Sequence, residues 1–465
     1  MRFYLHAGLG RLLRVFLVLA VLTLLQTGGP LLSRAGATGN RTTVTTATIF
    51  ITLLVKGDFT SAEGYFDAAM VAALPRAQLQ QTWQTLIQQL GAFEKINTVT
   101  EQTTGGVASV VAACTFAQAT ADLVISFDQA GKIGGLHVTQ VVPRQAPPSG
   151  YAPPSYVHTS SFHEQKVTVG HAPRALPGTL TLPKGSGPFP AVVLVAGSGP
   201  EDQDETIGPN KPFRDLAWGL ASQGIAVLRY DKRTFVYGVQ MAKLRTLTVQ
   251  DEYIDDAAAA VRLLAHTPGI DSHHIYLLGH SEGGMVAPRI AQQDSQIAGL
   301  ILLAAPTRSL PDLFVSQYSY LESRGFATAA QVAAVKQEVA VIKALTPADR
   351  NQPGNLLGAP PSYWLDLQNY HPATVAQHLT VPMLILQGAR DYQVTLTDFN
   401  AWKAALASHQ NVQFHLYPNL FHLFIPVPSG SPAGLATPSA YNTPGHVDPA
   451  VVHDIATWLK AAAAS

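Results

Sequence analysis

A serine flanked by glycines is the first feature of this sequence that could do chemistry. Gly279-His280-Ser281-Glu282-Gly283-Gly284 follows the apolar run 275–278 and precedes a helical pattern over 285–293. This is G-x-S-x-G in a strand–turn–helix context. On so sharp a turn the serine backbone is strained, and side chains two residues to either side would collide with neighbouring elements. The turn lifts the hydroxyl above the strand end, beside a helix N-terminus whose free N–H groups attract developing negative charge. A hydroxyl is a poor nucleophile without a base, and the base needs an acid to hold its tautomer. Both follow downstream: the strand pattern 381–386 runs into a loop carrying Asp391, and 414–417 into a loop carrying His422. Ser281, Asp391 and His422 therefore form a nucleophile, acid and base in that chain order. The competing groups read differently. His415 lies inside a strand, His446 and His453 border the last helix, and Asp398 reads as a helix cap.

Attack by Ser281 on an acyl carbon creates an oxyanion that needs N–H donors. Glu282, just after the nucleophile, supplies one. The other is expected from the loop Gly197-Ser198-Gly199-Pro200, with Ser198 the expected donor and Gly197 the alternative. The acidic run Glu201-Asp202-Gln203-Asp204-Glu205 reads as a solvated loop, with a role at the substrate entrance as the alternative. Neither a metal nor a cofactor is expected. The sequence has no H-E-x-x-H, no phosphate-binding G-x-x-x-x-G-K-[ST] and no dinucleotide fingerprint. The adjacent His273 and His274 read as solvent-facing, because neighbouring residues rarely face one site.

The elements that must position these groups alternate. Short apolar strands at 191–196, 225–230, 275–278, 300–304, 383–386 and 412–416 are separated by helical patterns such as 248–265, behind an opening hairpin at 165–169 and 178–182. Strands apolar throughout and separated by helices predict a mostly parallel, doubly wound α/β sheet over 158–465. Residues 306–372 interrupt it without a sheet strand. A helix from Thr328 to about Leu345 and the aromatics Tyr318, Tyr320, Tyr363, Trp364 and Tyr370 predict a helical lid insertion, with ordinary helix packing as the alternative reading of each ring. Ahead of this domain, a proline-rich linker occupies 143–157. Residues 43–142 go from helical to strand patterning and predict a small α+β domain, with Thr60-Ser61 capping a helix and Cys114 as a buried apolar residue.

Composition sets the outer bounds. Of 465 residues, 47% are hydrophobic and 13% charged, with 30 basic against 30 acidic side chains and one cysteine. The chain can bury a large core, has no cationic surplus to grip nucleic acid, and cannot form an internal disulfide. At its start, Arg2, Arg11 and Arg14 flank the apolar run 15–25, and Ala35-Gly36-Ala37 offers small residues for cleavage. The run fits the ~7–15 residues of a signal core and falls short of the ~18–20 that span a bilayer. Residues 1–37 are therefore expected to be a cleaved signal peptide and the protein secreted or extracytoplasmic, with an uncleaved anchor as the alternative.

Four stretches in order, GSGPEDQDETIGPNKPFRDLAWGLASQGIAVLRYDKRT, GHSEGG, LQGARDYQV and YPNLFHLF, resemble the serine-hydrolase branch of the α/β-hydrolase superfamily. The similarity is to bacterial carboxylesterases with a serine aminopeptidase-like domain, and it covers the last two-thirds of the chain. The resemblance implies hydrolysis of short-chain carboxylic esters without a cofactor, on a triad of Ser281, Asp391 and His422. A serine peptidase on the same triad is one alternative, with Glu201, Asp202, Asp204 or Glu205 to hold a free amine. A non-catalytic binding protein is another. The N-terminal segment resembles the nuclear-transport-factor-like domains of unknown function that precede some bacterial hydrolases, and a cell-envelope partner would engage it. Two departures stand out. The family often has a histidine before the oxyanion-loop glycine, where this chain has Ala196, which predicts a less firmly held loop. Phe235-Val236-Tyr237 replaces an expected glycine-rich run.

Overall fold

The computed structural model describes residues 41–104, 107–117, 119–143, 151–241, 244 and 246–464. The expected signal peptide and residues 144–150 of the expected linker lie outside them. The chain forms two compact units, dividing between Tyr151 and Ala152.

In the first unit, four helices (Arg41–Lys56, Phe59–Glu63, Ala68–Ala73 and Arg76–Leu90) precede four strands, β1 (Phe93–Thr104), β2 (Val107–Phe116), β3 (Ala119–Phe127) and β4 (Ile133–Pro143). The strands pair antiparallel in sequence order, giving the expected small α+β arrangement. Asp58 and Asp67 cap two short helices there, accepting from the Ser61 and Met70 N–H groups. Thr60 and Ser61 instead lie inside the first, so the single helix expected from residue 60 onward is two. Strand β1 had no apolar alternation to announce it. It is a polar edge strand, mostly exposed along the residues whose burial is described. Cys114 is buried, and burial, then the Asp122 carboxylate, push its thiol up to about 12.

The second unit holds an eight-stranded sheet: β5 (Phe162–Val169), β6 (Leu176–Pro183), β7 (Phe189–Val195), β8 (Ala226–Tyr230), β9 (Ile270–His280), β10 (Ile297–Leu303), β11 (Met383–Gly388) and β12 (Val412–Tyr417). Its order is β12-β11-β10-β9-β7-β8-β6-β5. Strand β6 runs antiparallel to β5 and β8; every other neighbouring pair is parallel. Alternate strand residues feed two apolar layers. Val193, Leu277, Leu302 and Ile385 pack with helices Asp255–Ala265 and Glu282–Gln293 on one face. Val192, Leu278, Ile301 and Leu386 pack with Pro212–Ala221 and Pro449–Ala462 on the other. Covering both faces explains why these strands are apolar throughout. The architecture is the α/β-hydrolase sheet expected from the sequence.

Between β10 and β11 lie helices Leu310–Ser323, Ala329–Lys343, Pro361–Leu367 and Pro372–Ala376. Thr328 and Gln331 form the capping box of the second. Tyr318, Tyr363 and Trp364 are buried, so helix packing claims these aromatics. The insertion is fastened to the helix behind Ser281: the Tyr370 hydroxyl donates to the Met285 carbonyl at 2.7 Å and Arg289 pairs with Asp366 at 2.9 Å.

Candidate active site

Strands β7, β9, β11 and β12 run parallel, so the loops that leave their C-terminal ends emerge at one edge of the sheet. Those loops carry Gly197, Ser281, Asp391 and His422. In open α/β sheets this is the edge where ligands bind.

Ser281 joins β9 to helix Glu282–Gln293 with φ 54° and ψ −120°. A non-glycine residue in that region is strained and persists only where its surroundings enforce it. The glycines do so by letting backbone approach backbone. A Cβ on Gly279 would sit 2.3 Å from the Gly283 carbonyl oxygen, and one on Gly283 would sit 2.3 Å from that of Val195. Ser281 is half-buried and, among the described residues, its hydroxyl makes no hydrogen bond. The Glu282 N–H, at the first helical position, has no partner within the helix.

Asp391 and His422 are brought together. The His422 Nδ1–H donates to Asp391 Oδ2 at 2.7 Å, with both side chains buried. Asp391 is fixed in turn: its Oδ1 accepts from the N–H groups of Gln393 (2.7 Å) and Val394 (3.1 Å), and its Oδ2 from Gln387 Nε2 (3.3 Å). Oriented this way, His422 keeps Nε2 as its remaining proton acceptor. The His422 ring lies 4.6 Å, centroid to centroid, from that of His280, the residue before Ser281. The His422–Ser281 hydrogen bond is not closed; such contacts tighten when substrate binds.

The loop after β7 lies against Ser281, since a Cβ on Gly197 would be 3.2 Å from Ser281 Cβ. The Gly197 N–H is engaged, donating to Glu205 Oε1 at 2.7 Å, so Gly197 is not an open oxyanion donor. Its carbonyl accepts from Lys232 Nζ and the Tyr253 hydroxyl, each at 2.9 Å. That carbonyl and the Ser198 N–H belong to one trans peptide and point in opposite directions. Gripping the oxygen therefore aims the N–H, which has no acceptor among the described residues. The loop is thus held without a histidine at position 196, contrary to the expectation of a less firmly held loop. Lys232 is balanced by Glu252 at 3.1 Å. Glu282 accepts from the Tyr363 hydroxyl at 2.6 Å, and burial raises its pKa, partly offset by Lys232.

The acidic run is not a solvated loop. Glu201, Asp204 and Glu205 are buried. Asp204 pairs with Arg229, with Arg214 at 2.5 Å and with Lys211 at 3.3 Å. Burial would raise its pKa, but those three cations hold it below the ordinary carboxylate value. Asp202 accepts from the Asp204 and Thr206 N–H groups, and Glu205 contacts His280 at 2.9 Å. Burial of the run is tolerated because Lys211, Arg214 and Arg229 converge on Asp204 while backbone N–H groups and His280 meet Asp202 and Glu205.

The other candidates are engaged elsewhere. His415 and the Tyr417 hydroxyl bind Asp454, His446 contacts Asp215 at 3.2 Å, and His453 is exposed. Asp398 is not merely a cap; it accepts from the Thr307 and Arg308 N–H groups and pairs with the Arg308 guanidinium at 2.7 Å. His273 is exposed and His274 contacts Asp271 at 2.8 Å. Arg233–Val236 forms a short helix, after which the Tyr237 hydroxyl donates to the Ala175 carbonyl at 2.6 Å. Among the described residues no cluster of His, Cys, Asp and Glu could hold a metal ion. Sequence reading missed the contacts that Glu205, Lys232, Tyr253 and His280 make around the loop after β7. The motifs GHSEGG and RYDKRT contained two of these residues without indicating their partners.

Comparison with known proteins adds relatives. Residues 211–352 match the family described as "Serine aminopeptidase, S33", and residues 47–136 match a "Protein of unknown function (DUF3887)". The chain is 39% identical over 421 residues to Esterase EstD of Thermotoga maritima, covering 89% of this chain and 94% of that protein. Solved structures with the similarity include Est1E from Butyrivibrio proteoclasticus (17% identity, 64% of this chain and 99% of that one, TM-score 0.42). The esterase domain of a Rhodothermus marinus protein is similar too (17% identity, 64% and 98%, TM-score 0.40).

Proposed function

Because this chain belongs to the α/β-hydrolase family of esterases, we propose that it hydrolyses carboxylic esters through an acyl-enzyme on Ser281. The observation that carries the triad assignment is the buried 2.7 Å contact between His422 Nδ1 and Asp391, on loops at the same sheet edge as the strained Ser281 turn. His422 Nε2 takes the Ser281 proton as the hydroxyl attacks the ester carbonyl. Asp391 keeps the ring in the required tautomer and stabilises the imidazolium that forms. The oxyanion lies between the Ser198 and Glu282 N–H groups, at the positive end of helix Glu282–Gln293. His422 returns the proton to the departing alcohol. Water, deprotonated by the same ring, then releases the acid and restores Ser281. The cycle uses no metal or cofactor.

Ester rather than aminoacyl substrates are favoured by the state of the acidic run. Asp202 binds backbone amides, Asp204 pairs with three cations, and Glu205 Oε1 meets the Gly197 N–H and His280, so a free α-amine would have to compete with these partners. Short acyl chains are the substrate class the family resemblance implies. The positive, then apolar, then small-residue order of residues 2–37 supports an extracytoplasmic location, with the N-terminal unit available to a cell-envelope partner.

Replacing Ser281→Ala is expected to lower kcat on a short-chain nitrophenyl ester by roughly 10⁶-fold, as loss of a triad nucleophile does. Full activity in that variant would remove the assignment. Aminoacyl nitroanilides, assayed in parallel, should turn over far more slowly than the ester; the reverse preference would make the protein a peptidase.

A further inference from the structure

His280 is buried between two acceptors. Its Nδ1 lies 2.9 Å from Glu205 Oε1 and its Nε2 lies 2.9 Å from the His422 carbonyl oxygen. A neutral imidazole carries one N–H, and a carbonyl oxygen can only accept. Both contacts are hydrogen bonds only if both ring nitrogens are protonated. Glu205 Oε1 also accepts from the Gly197 N–H at 2.7 Å, as expected of a carboxylate oxygen without a proton. We infer that His280 is a buried imidazolium paired with Glu205, and that this ion pair is a positioning device joining three segments around the reacting atoms. Through Glu205 it holds the Gly197 end of the oxyanion loop. The ring itself sits beside Ser281. Through the His422 carbonyl it holds the loop of the proposed base.

Charge balance agrees. The carboxylates near His280 are Glu205 and Asp391; the rings are His422 and Phe424. A neutral His280 would leave the buried Glu205 and Asp391 carboxylates without the imidazolium that attracts both, a costly loss of pairing. Burial opposes charge on the ring, but Glu205, the His422 carbonyl and Asp391 outweigh it and raise its pKa above the ordinary histidine value. The sign follows. With the folded pKa raised, the contribution to stability is complete below the ordinary histidine pKa and is lost as pH rises through the folded one. Glu205 is also held at φ 51°, a strained conformation for a non-glycine residue that its buried contacts enforce.

Only the kinetic part of the inference rests on the esterase reading; the protonation state is measured without turnover. In full-length protein labelled with ¹⁵N-histidine, both ring nitrogens of His280 should show imidazolium shifts and bound protons at pH 7.5. The signals are assigned by their loss in His280→Gln or, if that variant does not fold, by their displacement in Glu205→Gln. One protonated and one bare nitrogen at that pH would overturn the inference. Glu205→Gln keeps an acceptor for the Gly197 N–H but removes the charge. It should lower kcat roughly 10–100-fold, less than the ~10²–10³ of removing an oxyanion donor outright. KM should change little, and the alkaline limb of the kcat profile should move to lower pH. A folded Glu205→Gln with unchanged kcat and pH profile would overturn the positioning role. Retained turnover in Ser281→Ala, by contrast, would sink the Ser281 triad and leave the His280 spectrum as it was.

Discussion

At the residue scale, one peptide unit between Gly197 and Ser198 concentrates the electrostatic demand. Its carbonyl is held by Lys232 and Tyr253, and its nitrogen, the proposed oxyanion donor, points the opposite way. Removing an oxyanion donor outright costs on the order of 10²–10³ in kcat. Misdirecting one costs less, so Lys232→Met is expected to lower kcat about 10–100-fold. Tyr253→Phe removes one of two donors to the same carbonyl and should cost less than Lys232→Met. Both losses should fall on kcat rather than KM in a nitrophenyl-ester assay, because the grip matters most when charge develops on the oxygen. Equal rises in KM with kcat unchanged would show that the two side chains serve binding instead. The positions proposed for the triad, Ser281, Asp391 and His422, could be picked out because each lies at or shortly after the C-terminal end of a strand pattern. Lys232, Tyr253 and Glu205 could not, because each acts across a contact that no local spacing encodes. Ala196 illustrates the limit: the missing histidine was visible, but its replacement comes from three other segments.

At the element scale, the turn at Ser281 depends on the absence of side chains. An alanine Cβ at position 283 would lie 2.3 Å from the Val195 carbonyl oxygen and 2.6 Å from that of Ala196. Both obstacles are backbone of the oxyanion-loop strand and cannot rotate away. Gly283→Ala should therefore destabilise the fold by at least the ~1–3 kcal/mol of an overpacked core. It should also displace the oxyanion loop, so that urea unfolding and ester turnover suffer together. At position 284 the nearest obstacles are less close, the Ala305 Cβ at 2.8 Å and the Gly279 carbonyl oxygen at 2.9 Å, so Gly284→Ala should disrupt both measurements by less than Gly283→Ala. A Gly283→Ala protein with the parent's urea midpoint and turnover would contradict the packing argument. The same scale explains the helix expected to run unbroken over 248–265. Its first turn, Gln250–Ile254, is a π-helix, a form often found at functional sites, and it carries Glu252 and Tyr253 to Lys232 and Gly197. A continuous apolar period hides such a turn. The acidic run misled for a related reason: charge density alone suggests water, and only Arg214, Arg229 and Lys211 make its burial tolerable.

At the scale of the whole molecule, every residue assigned to the proposed chemistry lies in the unit beginning at Ala152. Both apolar layers of the sheet are built from that unit's own side chains. Domains with a complete core can fold alone, so a fragment of residues 152–465 should unfold cooperatively and keep kcat/KM on a short-chain ester within about threefold of the full chain. The paired measurement is an ester-chain-length series on fragment and full chain. Parallel profiles would assign acyl selectivity to the hydrolase unit alone. A fragment that folds, by near-ultraviolet circular dichroism, yet loses turnover selectively for longer esters would place part of the acyl-recognition surface in the N-terminal α+β unit. A fragment that fails to fold would show that the two apolar layers, though closed in residue membership, do not offset the chain entropy of some 300 residues by themselves.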